Sequence, residues 1–323
     1  MTLRVAVFAA VAREPIIAAL RADGDVEVID AVDAAQFIAA LDGAQVAVIP
    51  GMGKFYTPEV AAAVAASKTL TWVQLISAGY DGVSAAGWPP GVQFTHPGGA
   101  LSGAVAEHAF ALLLTVARQI DKAARAQTQK TWERPYLARA VTMSGATLAI
   151  VGFGSIGQRI ARLARGFDMT VIGISRSGRP VDGERVHPAS ELLQVLPQAD
   201  AVICALPISD ETRGLFDAQA FACCKPTAIF VNVGRGAVVD QPALIAALTS
   251  GALAGAGLDV TDPEPLPPDD PLWDAPNLLI TPHYAAAGDR EAAQRIAEAL
   301  MDNLRRFRAG EPLVNLIVPP NPA

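Results

Sequence analysis

A glycine-rich segment, Gly152-Phe-Gly154-Ser155-Ile156-Gly157, follows the apolar run Thr147-Leu-Ala-Ile-Val151 and precedes a helical pattern from Gln158 to Arg165. GxGxxG spacing alone carries little information. Flanked by a strand and a helix, it has the context that binding of dinucleotide phosphates requires. Gly152 suits the tight turn, Gly154 lets a pyrophosphate approach the backbone, and Gly157 lets the helix pack on the strand. The N–H groups at the helix start, around Ser155 and Ile156, lack intrahelical partners and are suited to hold phosphate.

The next strand pattern, Thr170-Val-Ile-Gly-Ile174, indicates which nucleotide fits. NAD sites usually carry a carboxylate about 20 residues on, bonded to the ribose 2′-OH. Here the strand runs instead into Ser175-Arg176-Ser177-Gly178-Arg179. Two guanidiniums and two hydroxyls suit a 2′-phosphate, because guanidinium forks bind phosphate through two bonds at once. NADP(H) is therefore the preferred cofactor, with NAD(H) as a second candidate.

Three further polar residues stand just past apolar runs. Arg235 follows Val231-Asn-Val-Gly, Glu264 lies beyond Leu258-Asp259 in a Pro-rich loop, and His283 follows Ile280-Thr-Pro. In open α/β sheets, ligands bind outside the carboxyl ends of the strands. That rule brings residues distant in sequence towards one cleft.

The elements that must position them alternate along the chain. Leu3–Phe8, Val26–Ile29, Val46–Ile49 and Trp72–Ile76 read as strands, with helices over 14–22, 34–41 and 58–66 between them. A Gly/Pro-rich patch from Gly87 to Gly99 marks a boundary, and one long helix is expected over about 101–129. Strands are expected again near 147–151, 170–174, 201–205, 228–232, 254–258 and 278–281, then a final amphipathic helix from about Asp289 to Arg308. The expected fold class is α/β, two Rossmann-like doubly wound parallel-sheet domains.

Composition limits the function classes. The 323 residues are 51% hydrophobic and 18% charged, which provides for two folded cores and argues against disorder. Lys plus Arg number 25 against 32 Asp plus Glu, a net charge of −7. That balance disfavours nucleic acid and anionic membrane as partners. No secretory leader or membrane span is expected, so the cytoplasm is the default. The three cysteines, Cys204, Cys223 and Cys224, form neither a zinc-type pair nor a disulfide framework, and no metal site is expected.

Together these segments resemble the D-isomer-specific 2-hydroxyacid dehydrogenase family. The match rests on Gly152–Gly157, Val233-Gly-Arg-Gly236, Gly255-Ala-Gly-Leu-Asp259, Asp262-Pro-Glu264, Thr281-Pro-His283 and the stretch from Pro97 to His108. The resemblance implies that Arg235 binds the substrate carboxylate and polarises the carbonyl. It implies that His283 is the acid/base and that Glu264 holds its ring; imidazole, which ordinarily titrates near pH ~6.5, suits that task. It places Leu206, Pro207, Thr212, Val233, Gly234, Arg235, Asp259 and His283 along the cofactor, beside the two loops already described. It assigns Ser77, Ala78 and Gly79 to the substrate carboxylate, together with Arg235 and His283. The segment from Met52 to Tyr56 is a further candidate for the substrate wall.

The resemblance also implies a discontinuous substrate domain, 1–98 plus 287–323, and a dinucleotide-binding domain, 99–286, with substrate in the cleft between them. It implies a homodimer through the arm from 101 to about 140, where Trp132 either limits the substrate side chain in a partner's cleft or packs under the arm. The implied activity is NADPH-dependent reduction of glyoxylate, hydroxypyruvate or a similar small 2-oxo acid. The alternatives are another D-2-hydroxyacid dehydrogenase, of the D-lactate or 2-ketogluconate-reductase type, or a non-catalytic dinucleotide-sensing corepressor-like binding protein.

Overall fold

The computed structural model describes residues 2–9, 11–132, 134, 138–181 and 183–318. The chain divides into two compact units, Met1–Leu101 with Gly288–Ala323, and Ser102–Ala287.

The first unit begins β1 (Leu3–Val7), α1 (Arg13–Ala22), β2 (Val26–Asp30), α2 (Ala34–Ala40), β3 (Val46–Ile49), α3 (Pro58–Ala66), β4 (Trp72–Leu75), α4 (Asp81–Ala86) and β5 (Gln93–Thr95). Its sheet is parallel in the order β2-β1-β3-β4-β5. β3 and β4 are buried along their whole length, as parallel strands covered on both faces must be. Local chemistry fixes helix starts: Asp33 accepts the Gln36 N–H, and Thr57 accepts that of Val60. α4 and β5 go beyond what the sequence predicts. Each is short, and β5 lies within the Gly/Pro-rich patch that reads as loop.

The second unit contains α5 (Ser102–Arg118), α6 (Ile120–Thr128), β6 (Thr147–Val151), α7 (Ser155–Gly166), β7 (Thr170–Ser175), β8 (Val186–Pro188), α8 (Leu192–Val195), β9 (Ala201–Cys204), α9 (Ala218–Cys223), β10 (Ile229–Asn232), α10 (Gln241–Ser250), β11 (Gly255–Leu258) and β12 (Leu278–Ile280). Its sheet is seven-stranded and parallel, ordered β12-β11-β10-β9-β6-β7-β8. The sequence predicts six strands. The seventh, β8, is a three-residue edge strand ending in proline, which no apolar run announces. The strand order reverses between β6 and β9, and this is the point where doubly wound sheets open a binding crevice.

The long helix expected over 101–129 is two helices. Gln119 takes a left-handed conformation, φ 55°, and its side-chain amide donates to the Val116 carbonyl at 2.8 Å. α5 buries one stripe, from Val105 through Phe110 and Leu113 to Ala117, against the sheet. Fully buried Val202, Phe216 and Phe230 lie in the cluster on the opposite face.

The chain closes with α11 (Ala292–Ala309), which belongs to the first unit. It starts three residues later than the sequence predicts, because Asp289 caps it by accepting the Glu291 and Ala292 N–H groups. A buried polar chain fixes α11 to the sheet. Trp72 Nε1 donates to Thr95 Oγ1, Thr95 donates to Gln74 Oε1, and Asn303 Nδ2 donates to the same oxygen. Among the described residues no helix is long and apolar enough to cross a membrane.

Candidate active site

Each polar segment singled out in the second unit leaves the carboxyl end of a strand. In sheet order, residues 281–283 follow β12, Asp259 follows β11, 233–235 follow β10, 205–207 follow β9, Gly152 follows β6 and Ser175 ends β7. Five strand steps separate β12 from β7, about 24 Å at some 4.8 Å each. An extended dinucleotide along this rim would therefore have its phosphate-binding groups at one end and the titratable groups at the other.

The loop after β6 has the build that a pyrophosphate needs. Gly152 has φ 104°, closed to residues with a β-carbon. A β-carbon at position 157 would sit 2.3 Å from the Gly152 carbonyl oxygen, so α7 packs on the loop only through glycine. A β-carbon at 154 would meet nothing within 4 Å, which leaves the approach to the start of α7 open. The first-turn N–H groups of Ser155 and Ile156 face that opening as the positive end of a twelve-residue helix. The residues present therefore fit a dinucleotide.

Past β7, Ser175 Oγ accepts the Gly178 N–H at 3.1 Å and Ser177 Oγ that of Arg179 at 3.4 Å. Both hydroxyls shape the turn and keep their own hydrogens to donate. Arg176 is 83% exposed and its Nε lies 3.5 Å from Glu211. Across the rim, Leu206 and Pro207 follow β9. The Thr212 hydroxyl donates to the Pro207 carbonyl and accepts the Ser209 N–H, both at 2.8 Å. Thr212 thus braces the 207–212 turn.

Arg235 is held by its neighbours. Asn232, fully buried at the end of β10, accepts the Gly234 N–H at 3.0 Å and donates to the Arg235 carbonyl at 2.9 Å. Arg235 Nη1 donates to the Gly234 carbonyl. A β-carbon on Gly236 would fall 2.0 Å from Thr261, so this loop lies directly against the segment that carries Glu264.

His283 Nδ1 lies 2.6 Å from Glu264 Oε2, and both side chains are a little more than one third exposed. Glu264 Oε1 accepts the Thr261 N–H. Partial burial pushes the Glu264 carboxyl up, but the His283 hydrogen bond and charge, the Thr261 N–H and the Arg235 charge outweigh it. The carboxyl is held below its ordinary value. With Nδ1 engaged by the carboxylate, Nε2 is the ring nitrogen left to exchange a proton with a reacting group.

Asp259 is 1% exposed, and its carboxylate serves the segment carrying His283. Oδ1 accepts from the Thr281 hydroxyl and the Tyr284 N–H, and Oδ2 from the Ala285 N–H. Asn232, His108 and Thr281 are supporting residues to which the sequence analysis assigns no role. For Asn232 a signal exists, a polar residue closing a buried strand.

In the first unit, Ser77 Oγ accepts the Gly51 N–H at 2.8 Å and donates to the Gly79 carbonyl at 2.7 Å. The loop after β4 is thereby tied to the loop after β3. The backbone N–H groups of Ala78 and Gly79 make no hydrogen bond among the described residues. Of the candidate wall from Met52 to Tyr56, Tyr56 is buried, packed edge-on against Phe94. It is a core residue.

A sequence profile described as the NAD-binding domain of D-isomer-specific 2-hydroxyacid dehydrogenases matches residues 110–285. A glyoxylate reductase from Korarchaeum cryptofilum is 37% identical over 79% of this chain and 76% of its own length. One from Pyrococcus furiosus is 40% identical over 68% and 67%. Among solved structures, the NADPH-dependent glyoxylate/hydroxypyruvate reductase of Sinorhizobium meliloti, in complex with NADP and sulfate, superposes with a TM-score of 0.81. Its identity is 29%, and 98% of both chains is covered.

Proposed function

The chain belongs to the D-isomer-specific 2-hydroxyacid dehydrogenases as an NAD(P)-dependent 2-oxoacid reductase, and from that premise we propose that it uses NADPH to reduce glyoxylate to glycolate or hydroxypyruvate to the D-2-hydroxy acid. The observation that carries the chemical part is the His283–Glu264 pair on the same sheet rim as the phosphate loop.

The residues divide the work. The loop Gly152–Gly157, with the Ser155 and Ile156 N–H groups, takes the pyrophosphate. Ser175, Arg176, Ser177 and Arg179 take the 2′-phosphate. Support for that choice comes from the missing carboxylate after β7, the exposed Arg176 guanidinium and the NADPH dependence of the Sinorhizobium reductase. Leu206, Pro207, Val233 and Gly234 border the middle of the rim. The bound cofactor supplies the hydride, and the protein supplies position and charge.

Arg235 forks onto the 2-oxo acid and draws electron density from its carbonyl. His283 Nε2 donates a proton to the carbonyl oxygen as the alcohol forms and recovers it in the reverse direction. Glu264, held in its ionised form, keeps the ring oriented through Nδ1. In the first unit, the N–H groups of Ala78 and Gly79 offer donors to a carboxylate. We read the chain as a homodimer through α5, α6 and the segment after them, where Ile120 and Trp132 are exposed.

Steady-state kinetics on glyoxylate, hydroxypyruvate, pyruvate and longer 2-oxo acids, with NADPH and with NADH, tests this reading. Glyoxylate and hydroxypyruvate with NADPH are expected to give the highest kcat/KM. Preference for NADH would remove the cofactor assignment, and a higher kcat/KM on pyruvate or longer acids would remove the substrate assignment.

A further inference from the structure

His108, in the second turn of α5, lies beside the stripe that packs against the sheet, and its side chain is only 15% exposed. Its Nε2 sits 2.9 Å from Thr281 Oγ1 and 3.3 Å from Asp259 Oδ1. The ring also meets Tyr284 edge-on, with centroids 4.9 Å apart. The Thr281 hydroxyl has one hydrogen, and it goes to Asp259 Oδ1 at 2.7 Å. Thr281 Oγ1 is then left to accept, so His108 carries its hydrogen on Nε2.

The segment these groups hold is the one that presents His283. Asp259 clamps it at Thr281, Tyr284 and Ala285 through its carboxylate, and its carbonyl accepts the His283 N–H at 2.8 Å. His283 itself has φ 51°, a left-handed conformation that persists in a residue with a β-carbon only where the surroundings impose it. Asp259 and Thr281 impose it from one side, and His108 fastens both to α5.

We propose that His108 is a positioning residue for the reaction: its Nε2–H, bonded to Thr281 and close to Asp259, fixes the strained segment that aims His283. This rests on the reading of His283 as the proton donor. A displacement of about 1 Å in such a group costs on the order of a hundredfold in rate. Binding of the cofactor at the far end of the rim does not depend on it.

The test compares His108→Leu, which removes the donor, with His108→Gln, whose terminal amide restores a donor near the place of Nε2. Both are measured with NADPH and glyoxylate, with kcat expressed per NADPH-binding site. His108→Leu is expected to lose about ten- to a hundredfold in kcat, with KM for glyoxylate and NADPH affinity unchanged. His108→Gln is expected to lie closer to the parent than to His108→Leu. A purely structural role would lower the number of binding sites and leave kcat per site intact, and that result overturns the proposal. Equal losses in both variants overturn it as well. Should His108→Leu not fold, Thr281→Val breaks the same link, and an unchanged kcat there is equally decisive. His283→Asn serves as the reference: if it retains turnover, the reading of His283 falls and this inference with it, whereas an inactive His283→Asn beside an unaffected His108→Leu removes the inference alone.

Discussion

Glu264 Oε2 and His283 Nδ1 are 2.6 Å apart although nineteen residues separate them in the chain, because β11 and β12 are neighbours in the sheet. The glutamate is held below its ordinary carboxyl value, so it stays ionised across the working pH range. That carboxylate engages Nδ1 and leaves Nε2 to serve the proton that reduction needs. Glu264→Gln keeps the shape and removes the charge. The ring is then no longer held by a carboxylate, and kcat for reduction is expected to fall about ten- to a hundredfold with NADPH affinity unchanged. An unchanged kcat would falsify the pairing.

The proton itself is expected to depend on His283. His283→Ala should lower kcat by about a hundred- to ten-thousandfold, the usual contribution of a positioned acid. NADPH affinity, read by fluorescence titration, should hardly change, since the phosphate loops lie further along the rim. Loss of NADPH affinity in step with kcat would show that the ring supports the fold of the site and does not act in proton transfer.

Cofactor choice is expected to rest on Arg176. Hydrogen bonds to charged groups contribute about 1.5–3 kcal/mol, so Arg176→Ala should weaken NADPH by about ten- to a hundredfold. NADH has no 2′-phosphate and should be affected little. Parallel titrations decide the matter, and equal weakening of both nucleotides would refute the assignment. Glu211, 3.5 Å from Arg176, makes the contrast dependent on ionic strength, because both side chains are exposed and salt screens them.

The strand ends are legible in the sequence because apolar runs stop there and polar or glycine residues follow, as in Ile280-Thr-Pro-His283 and Val231-Asn-Val-Gly-Arg235. What escapes has no local signal. β8 is held at the sheet edge by pairing with β7, and its own three residues end in proline. His108 occupies a helix face that otherwise reads as core, so only tertiary contact with Thr281 and Asp259 distinguishes it. The family resemblance places Asp259 along the cofactor, and it does not announce that the carboxylate also accepts the Tyr284 and Ala285 N–H groups of the turn at 281–285. α11 is recognisable as an amphipathic helix. Its attachment through Asn303 to Gln74 spans 229 positions, beyond the reach of any sequence window.

Asn232 is expected to govern Arg235. Asn232→Ala leaves the Gly234 N–H and the Arg235 carbonyl without their partner in a buried place. Each such group costs about 1–3 kcal/mol. The variant should unfold at lower temperature and, where still folded, show a raised KM for the 2-oxo acid, since the loop under Arg235 is no longer fixed. Calorimetry with substrate kinetics reads both effects. An unchanged KM would mean that the Gly236 contact with Thr261 holds the loop alone.

Pocket size is expected to depend on Trp132. Its side chain is 90% exposed in the single chain, an unusual place for an indole unless something covers it. Glu133, Pro135 and Tyr136, which belong to the same candidate segment, lie outside the described residues. In a two-fold dimer the same segment of each chain meets the other in the same way. If that contact brings the ring to the partner's substrate, it limits the room for the substrate side chain. Trp132→Ala should then improve the relative kcat/KM for bulky 2-oxo acids and reduce it for glyoxylate, with the dimer intact by sedimentation. One methylene of pocket space corresponds to about 1–3 kcal/mol, and removal of an indole should therefore reorder the substrates and not merely rescale them. A weaker dimer with an unchanged substrate order would instead assign the ring to subunit packing.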